Sequence, residues 1–169
     1  MAYARLTSIL LLTAAAVSIH GQRVAASANP WSAGSGFVSH IAATTFVNVP
    51  FLPKCMMISM KQGDPRKGPS VTLARIASGC VIPWHWHTSN TRLILVSGHV
   101  RHMTKDTNQP TDVYAGDLIY LPARHLHWAR CISTCLTYNI SDARDVAHWV
   151  DRNGKDIPLM QAVKLGTKP

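Results

Sequence analysis

Apolar positions along this chain recur in short runs separated by turn residues, and few of the runs reach helical length. In residues 71–77, Val71, Leu73 and Arg75 alternate with Thr72, Ala74 and Ile76, the period of a half-buried strand. Comparable runs at 92–96, 100–104, 118–121, 136–140 and 146–150 predict further strands, and Phe46, Val47 and Val49 predict an earlier one. Residues 52–60 form an apolar stretch that closes at Lys61-Gln-Gly63, and its methionines suit a core that needs irregular gaps filled. Between these runs lie turn signals: Gly63 to Pro69 with two Gly and two Pro, Ser97-Gly98, a polar loop at 106–111 with Pro110, Pro122, and Asn153-Gly154. Pro158 is placed to open a short helix over 159–165, which Gly166 would close. Strands at such intervals predict an all-β barrel or sandwich with a short C-terminal helix.

Length and charge narrow the picture. At 169 residues the chain makes one domain with a proper core. The amino terminus has a short basic region ending at Arg5, an apolar run over 6–17 and small residues at 24–28, the pattern of a secretory signal peptide. The apolar run is too short for a stable spanning helix, and cleavage after Ala26 or Ala28 would leave no membrane anchor. The chain therefore divides into a signal peptide at 1–28, an arm and first strand at 29–50, the barrel at 51–151 and a turn with a short helix at 152–169. The expected location is exported, periplasmic or extracellular. The formal charge of +9 falls to about +7 once Arg5 and Arg23 leave. Basic residues are scattered singly, with no run of five and no interleaved aromatics, so the charge describes a solvated surface and no nucleic-acid partner is expected.

Candidate chemistry concentrates in Gly79-Cys-Val-Ile-Pro-Trp-His85-Trp-His87 and the residues up to Gly98. His85 and His87 share one face of a strand, about 7 Å apart, and can together hold a transition metal, while Trp84 and Trp86 face the other way. The spacing from Gly79 through His85-x-His87 and position 91 to Gly98 resembles the first signature of the cupins. Gly116, Pro122 and His127 resemble the second, which runs Gly, five residues, Pro-x-Gly, two residues, His, three residues, Asn. The loop at 63–69 and the stretch from His148 to Pro158 are similar to segments of a group of exported cupins, so the resemblance runs from about 51 to 163.

That resemblance implies a jelly-roll barrel, commonly paired as a homodimer, with one divalent transition metal (Fe, Mn, Ni, Zn or Cu) held by His85, His87 and His127. Three departures stand out. Thr91 occupies the place of the family's metal-binding glutamate, in a chain that contains no glutamate; Arg124 replaces a glycine; and Cys131 replaces an asparagine. Asn90 and Thr91 are candidates to hold a water near the metal, and His125, two residues from His127, is a reserve ligand. His99 and His102 fall in or after a turn and are expected at the surface. Three neutral imidazoles leave a divalent ion with charge +2 and open positions. The sequence is thus compatible with a metal-binding cupin, with a three-His iron dioxygenase acting on a small anionic molecule, or with a non-catalytic small-molecule or metal-binding module. Four cysteines in an exported chain permit disulfides. Cys131 and Cys135 would bond across a hairpin if Ile132-Ser-Thr134 is a tight turn, with Cys55 and Cys80 reduced or paired with each other.

Overall fold

The computed structural model describes residues 36–166, so the predicted signal peptide and residues 29–35 of the arm lie outside the described residues. Ten strands follow in order, β1 (Met56–Gly63), β2 (Ser70–Ile76), β3 (Val81–His87), β4 (Thr91–Ser97), β5 (His99–Thr104), β6 (Pro110–Tyr114), β7 (Leu118–Leu121), β8 (His127–Cys131), β9 (Cys135–Ser141) and β10 (Ala147–Trp149), and then helix α1 (Leu159–Gly166). They form two five-stranded sheets, ordered β1-β2-β9-β4-β7 and β10-β3-β8-β5-β6, with every pair antiparallel. This is the expected all-β jelly roll, and α1 packs on β3. No helix among the described residues is long and apolar enough to cross a membrane.

Side chains alternate across each strand, so the interior is graded along its length. At one end Ile76 of β2 pairs with Cys135 of β9, and both pack with Cys80, Val100 and Cys131 in the apolar core. At the other end Ser70 pairs with Ser141, which also pairs with Thr91 of β4. All three are buried, so one pole of the barrel is dry and the other polar. Turn chemistry holds the frame. Gly98, at the close of the first motif, has φ +101°, and a Cβ there would lie 2.5 Å from the Thr134 carbonyl oxygen, so no other residue fits without displacing the start of β9.

Arg124 stands in the left-handed region with φ +65°. An arginine held in this conformation, at a position where the resemblance led one to expect glycine, costs about 1–2 kcal/mol. Its amide donates to the His87 carbonyl at 2.8 Å and its guanidinium sits 5.3 Å from the Trp86 ring, so the strained residue is tied to β3 on both counts.

Three expectations need correction. The first concerns the strand at 46–49. Val47 alone makes a bridge, to Ile58, because the chain turns at once with the Leu52 amide on the Val49 carbonyl. The loop at 106–111 gives way at Pro110, which opens β6, the edge position where a missing N–H costs nothing. The third correction is the disulfide. Cys55 and Cys80 are bonded, 25 residues apart in sequence, and Cys131 and Cys135 are free. Ile132-Ser-Thr134 is not a hairpin turn: β8 and β9 belong to different sheets, so the segment carries the chain across the barrel and the cysteines never face each other over paired strands. They meet as buried thiols, and a hydrogen bond with Cys135, followed by burial, pushes the Cys131 thiol up.

Candidate metal centre

The site starts with a ladder register. β3 and β8 pair so that His85 lies directly opposite His127, after an irregularity between Ile82 and His85. His87 is two residues further along the same face. Strand pairing therefore converges three rings, and one candidate ligand atom from each lies within 4.8 Å of the others. Ring centroids of His85 and His127 are 4.0 Å apart.

Each ring is also fixed in tautomer. Nδ1–H of His85 donates to the Pro83 carbonyl at 2.7 Å, that of His127 to the His125 carbonyl at 2.9 Å, and that of His87 to the Asp145 carboxylate at 2.9 Å. With Nδ1 a donor in all three, Nε2 carries the lone pair, the state a metal requires. The donor set fits a divalent transition ion.

Asp145 is the residue that sequence reasoning missed. It follows β9 in the turn at 141–145, where nothing in its spacing marks it. In the fold it accepts from His87 Nδ1, the Ser89 amide at 3.3 Å and the Ser141 hydroxyl at 3.1 Å. Burial pushes its carboxyl up, but the hydrogen bond to His87, with those from Ser89 and Ser141, more than offsets this and holds it below the usual carboxylate value. The chain thus lacks a glutamate but keeps an anion one bond behind a ligand. With Asp145 counted, a divalent ion held by the three histidines would leave the centre at formal charge +1 rather than the +2 expected from three neutral rings alone.

Burial above all, with repulsion from His87, pulls His85 down to about 3, and burial pushes His127 well below the ordinary histidine value. Burial likewise takes His102 down to about 4. Folded, these rings refuse protons that an unfolded chain accepts below pH about 6.5. The unfolded state then binds more protons, so stability rises with pH in this window and is lost as pH falls. The metal-free protein is expected to lose about 1 kcal/mol per pH unit for each ring that stays neutral, between pH about 6.5 and 4. Urea midpoints across that range test it, and a flat profile would contradict it.

The other predicted residues separate. Thr91 is buried on the cavity wall, its hydroxyl donating to the Ser89 carbonyl at 3.3 Å. Asn90 accepts from the Ala123 amide at 3.0 Å and so anchors the loop that precedes β8. His125 is no reserve ligand: its Nε2 meets Asp106 at 2.8 Å, while its carbonyl orients His127. His99 pairs with Asp112 at 2.9 Å. His102, expected at the surface, is instead 8% exposed, with its ring centroid 5.7 Å from that of His127. The signal was available: β5 starts at His99, and period two then carries Val100 and His102 inward. The histidines open onto a cavity of about 190 Å³ whose walls include Ile58, Leu93, Leu95, Val113 and Ile119.

No protein-family model matches the sequence, and no curated protein matches it. Solved structures match in fold. An acetylacetone dioxygenase from Acinetobacter johnsonii aligns with TM-score 0.58 at 16% identity, covering 80% of this chain and 94% of that one. An RmlC-like cupin from Ralstonia eutropha JMP134 aligns with TM-score 0.58 at 20% identity, over 79% and 85% of the two chains. Another, from Shewanella frigidimarina NCIMB 400, gives 0.52 at 19% identity, over 65% and 94%. At these identities the likeness is one of fold, and the fold of this chain is that of the cupins.

Proposed function

We propose that this protein binds one divalent transition metal through Nε2 of His85, His87 and His127 and uses it to act on a small molecule admitted to the barrel. The observation that supports the reading is the set of three Nδ1 hydrogen bonds, which leave Nε2 of three clustered rings free to act as a ligand atom. A decayed site would have no reason to keep all three. A metal held by three neutral ligands keeps positions for water or substrate, and supplies Lewis-acid or redox chemistry there. Asp145 stabilises the positive charge that His87 gains as a ligand. The apolar walls exclude water, and the carbonyls of Pro83 and His125 keep the other two rings from rotating. The Cys55–Cys80 bridge supports an oxidising, periplasmic or extracellular location.

Protein purified without chelator is expected to take up one metal per chain from Fe, Mn, Ni, Zn or Cu. Asp145→Asn should keep that stoichiometry but lower affinity about 10- to 100-fold, as outer hydrogen-bond partners of ligating histidines do. Stoichiometry near zero with all five metals rejects the reading. An iron-dependent dioxygenase is the second reading, favoured by the fold shared with an acetylacetone dioxygenase and by the apolar cavity beside the triad. Oxygen uptake by iron-loaded protein over diketones, thiols and phenolic acids decides between turnover and binding alone.

A further inference from the structure

His102 is a polar ring in an apolar place. β5 pairs with β8 so that Thr104 lies opposite His127 and His102 opposite Ala129, and Ala129 pairs in turn with Ile82 of β3. The rung His102–Ala129–Ile82 thus lies two residues along β8 from the rung of His127 and His85, on the side of the apolar core. The His102 ring centroid is 5.7 Å from that of His127, and the ring lines the same cavity as the three candidate ligands. The residue is only 8% exposed, yet its Nε2 has no hydrogen-bond partner among the described residues. Native proteins keep few bare buried nitrogens, because each is costly. Ala129 and Ile82 present only hydrocarbon to it, so the partner must come from the cavity. His102 is not a fourth ligand. Two nitrogens on one ion stand at most about 4.2 Å apart, twice a bond of about 2.1 Å. The candidate ligand atoms of His85, His87 and His127 lie within 4.8 Å of one another, and no His102 nitrogen joins that set.

We propose that His102 is a catalytic residue: its Nε2 hydrogen-bonds to the small molecule seated against the three candidate ligands and fixes how that molecule is turned toward them. A neutral imidazole takes whichever tautomer its partner requires. Toward an anion it donates from Nε2–H, and the apolar walls of the cavity strengthen such a bond. The assignment rests on the metal reading above, since the ion holds the other contact to the same molecule.

The test is azide binding to cobalt-loaded protein, read from the cobalt absorption spectrum, in wild type, His102→Leu and His102→Gln. His102→Leu is expected to take up cobalt with wild-type affinity and an unchanged azide-free spectrum, but to bind azide about tenfold more weakly. His102→Gln, whose amide can reach the place of Nε2, should recover most of that loss. A histidine that merely fills the core would leave azide affinity where it was. A second measurement needs no substitution in the protein observed: azide added to zinc-loaded wild type carrying 15N-histidine should shift the His102 Nε2 resonance, which is identified by its absence from His102→Gln. Equal azide affinity in wild type and His102→Leu, no recovery in His102→Gln, or an unmoved resonance overturns the assignment. Loss of cobalt affinity by about a hundredfold in His102→Leu would make the ring a ligand and overturn it as well. Wild-type protein that takes up no cobalt overturns the metal reading, and the role of His102 with it.

Discussion

His85→Leu is expected to lower metal affinity more than 100-fold while making the metal-free protein more stable at pH 5. The two effects share a cause. Structural zinc sites in peptides are worth about 10–16 kcal/mol over four ligands, so each ligand carries about 3 kcal/mol, more than a hundredfold in binding. The same ring is buried and kept neutral at a pH where it would otherwise protonate, and leucine fills similar space with nothing to titrate. A variant that had merely misfolded would lose metal and acid stability together. Calorimetric zinc titration and urea midpoints at pH 5 and 7 make the comparison. Full metal uptake by His85→Leu would remove that ring from the ligand set.

Loss of the Cys55–Cys80 bridge is expected to cost about 3–4 kcal/mol. The bond closes a loop of 25 residues and ties the entry to β1, in one sheet, to the entry to β3, in the other. Loop closure of that length removes a corresponding amount of entropy from the unfolded chain. Urea midpoints of Cys55→Ser/Cys80→Ser and of reduced wild-type protein should fall together. Peptide mapping under non-reducing conditions should give the 55–80 bridge, with Cys131 and Cys135 recovered as thiols. A wild-type midpoint insensitive to reductant would show that the bridge contributes nothing.

Most of the strands were legible in the linear chain because they depend on local periodicity, while the jelly-roll barrel and the set of three candidate ligands came from the resemblance to the cupin signatures. Alternation over 71–77 marks β2, and Pro158 with Gly166 brackets α1. His85 and His87 needed only a strand's period of two, and His127 only the spacing of the second motif. What tertiary structure decided depends on which strand lies beside which. Asp145 reaches His87 across 58 residues, and no local pattern encodes that distance. His102 turned inward because β5 begins one residue after Gly98, a register that a turn assignment hides. The disulfide went to Cys55 and Cys80 because the short segment after Cys131 changes sheets, and sheet membership is a property of pairing rather than of loop length. Sequence alone determined most of the elements and the common face of His85 and His87. Long-range pairing decided which faces meet, and so supplied the carboxylate, the fourth histidine and the bridge.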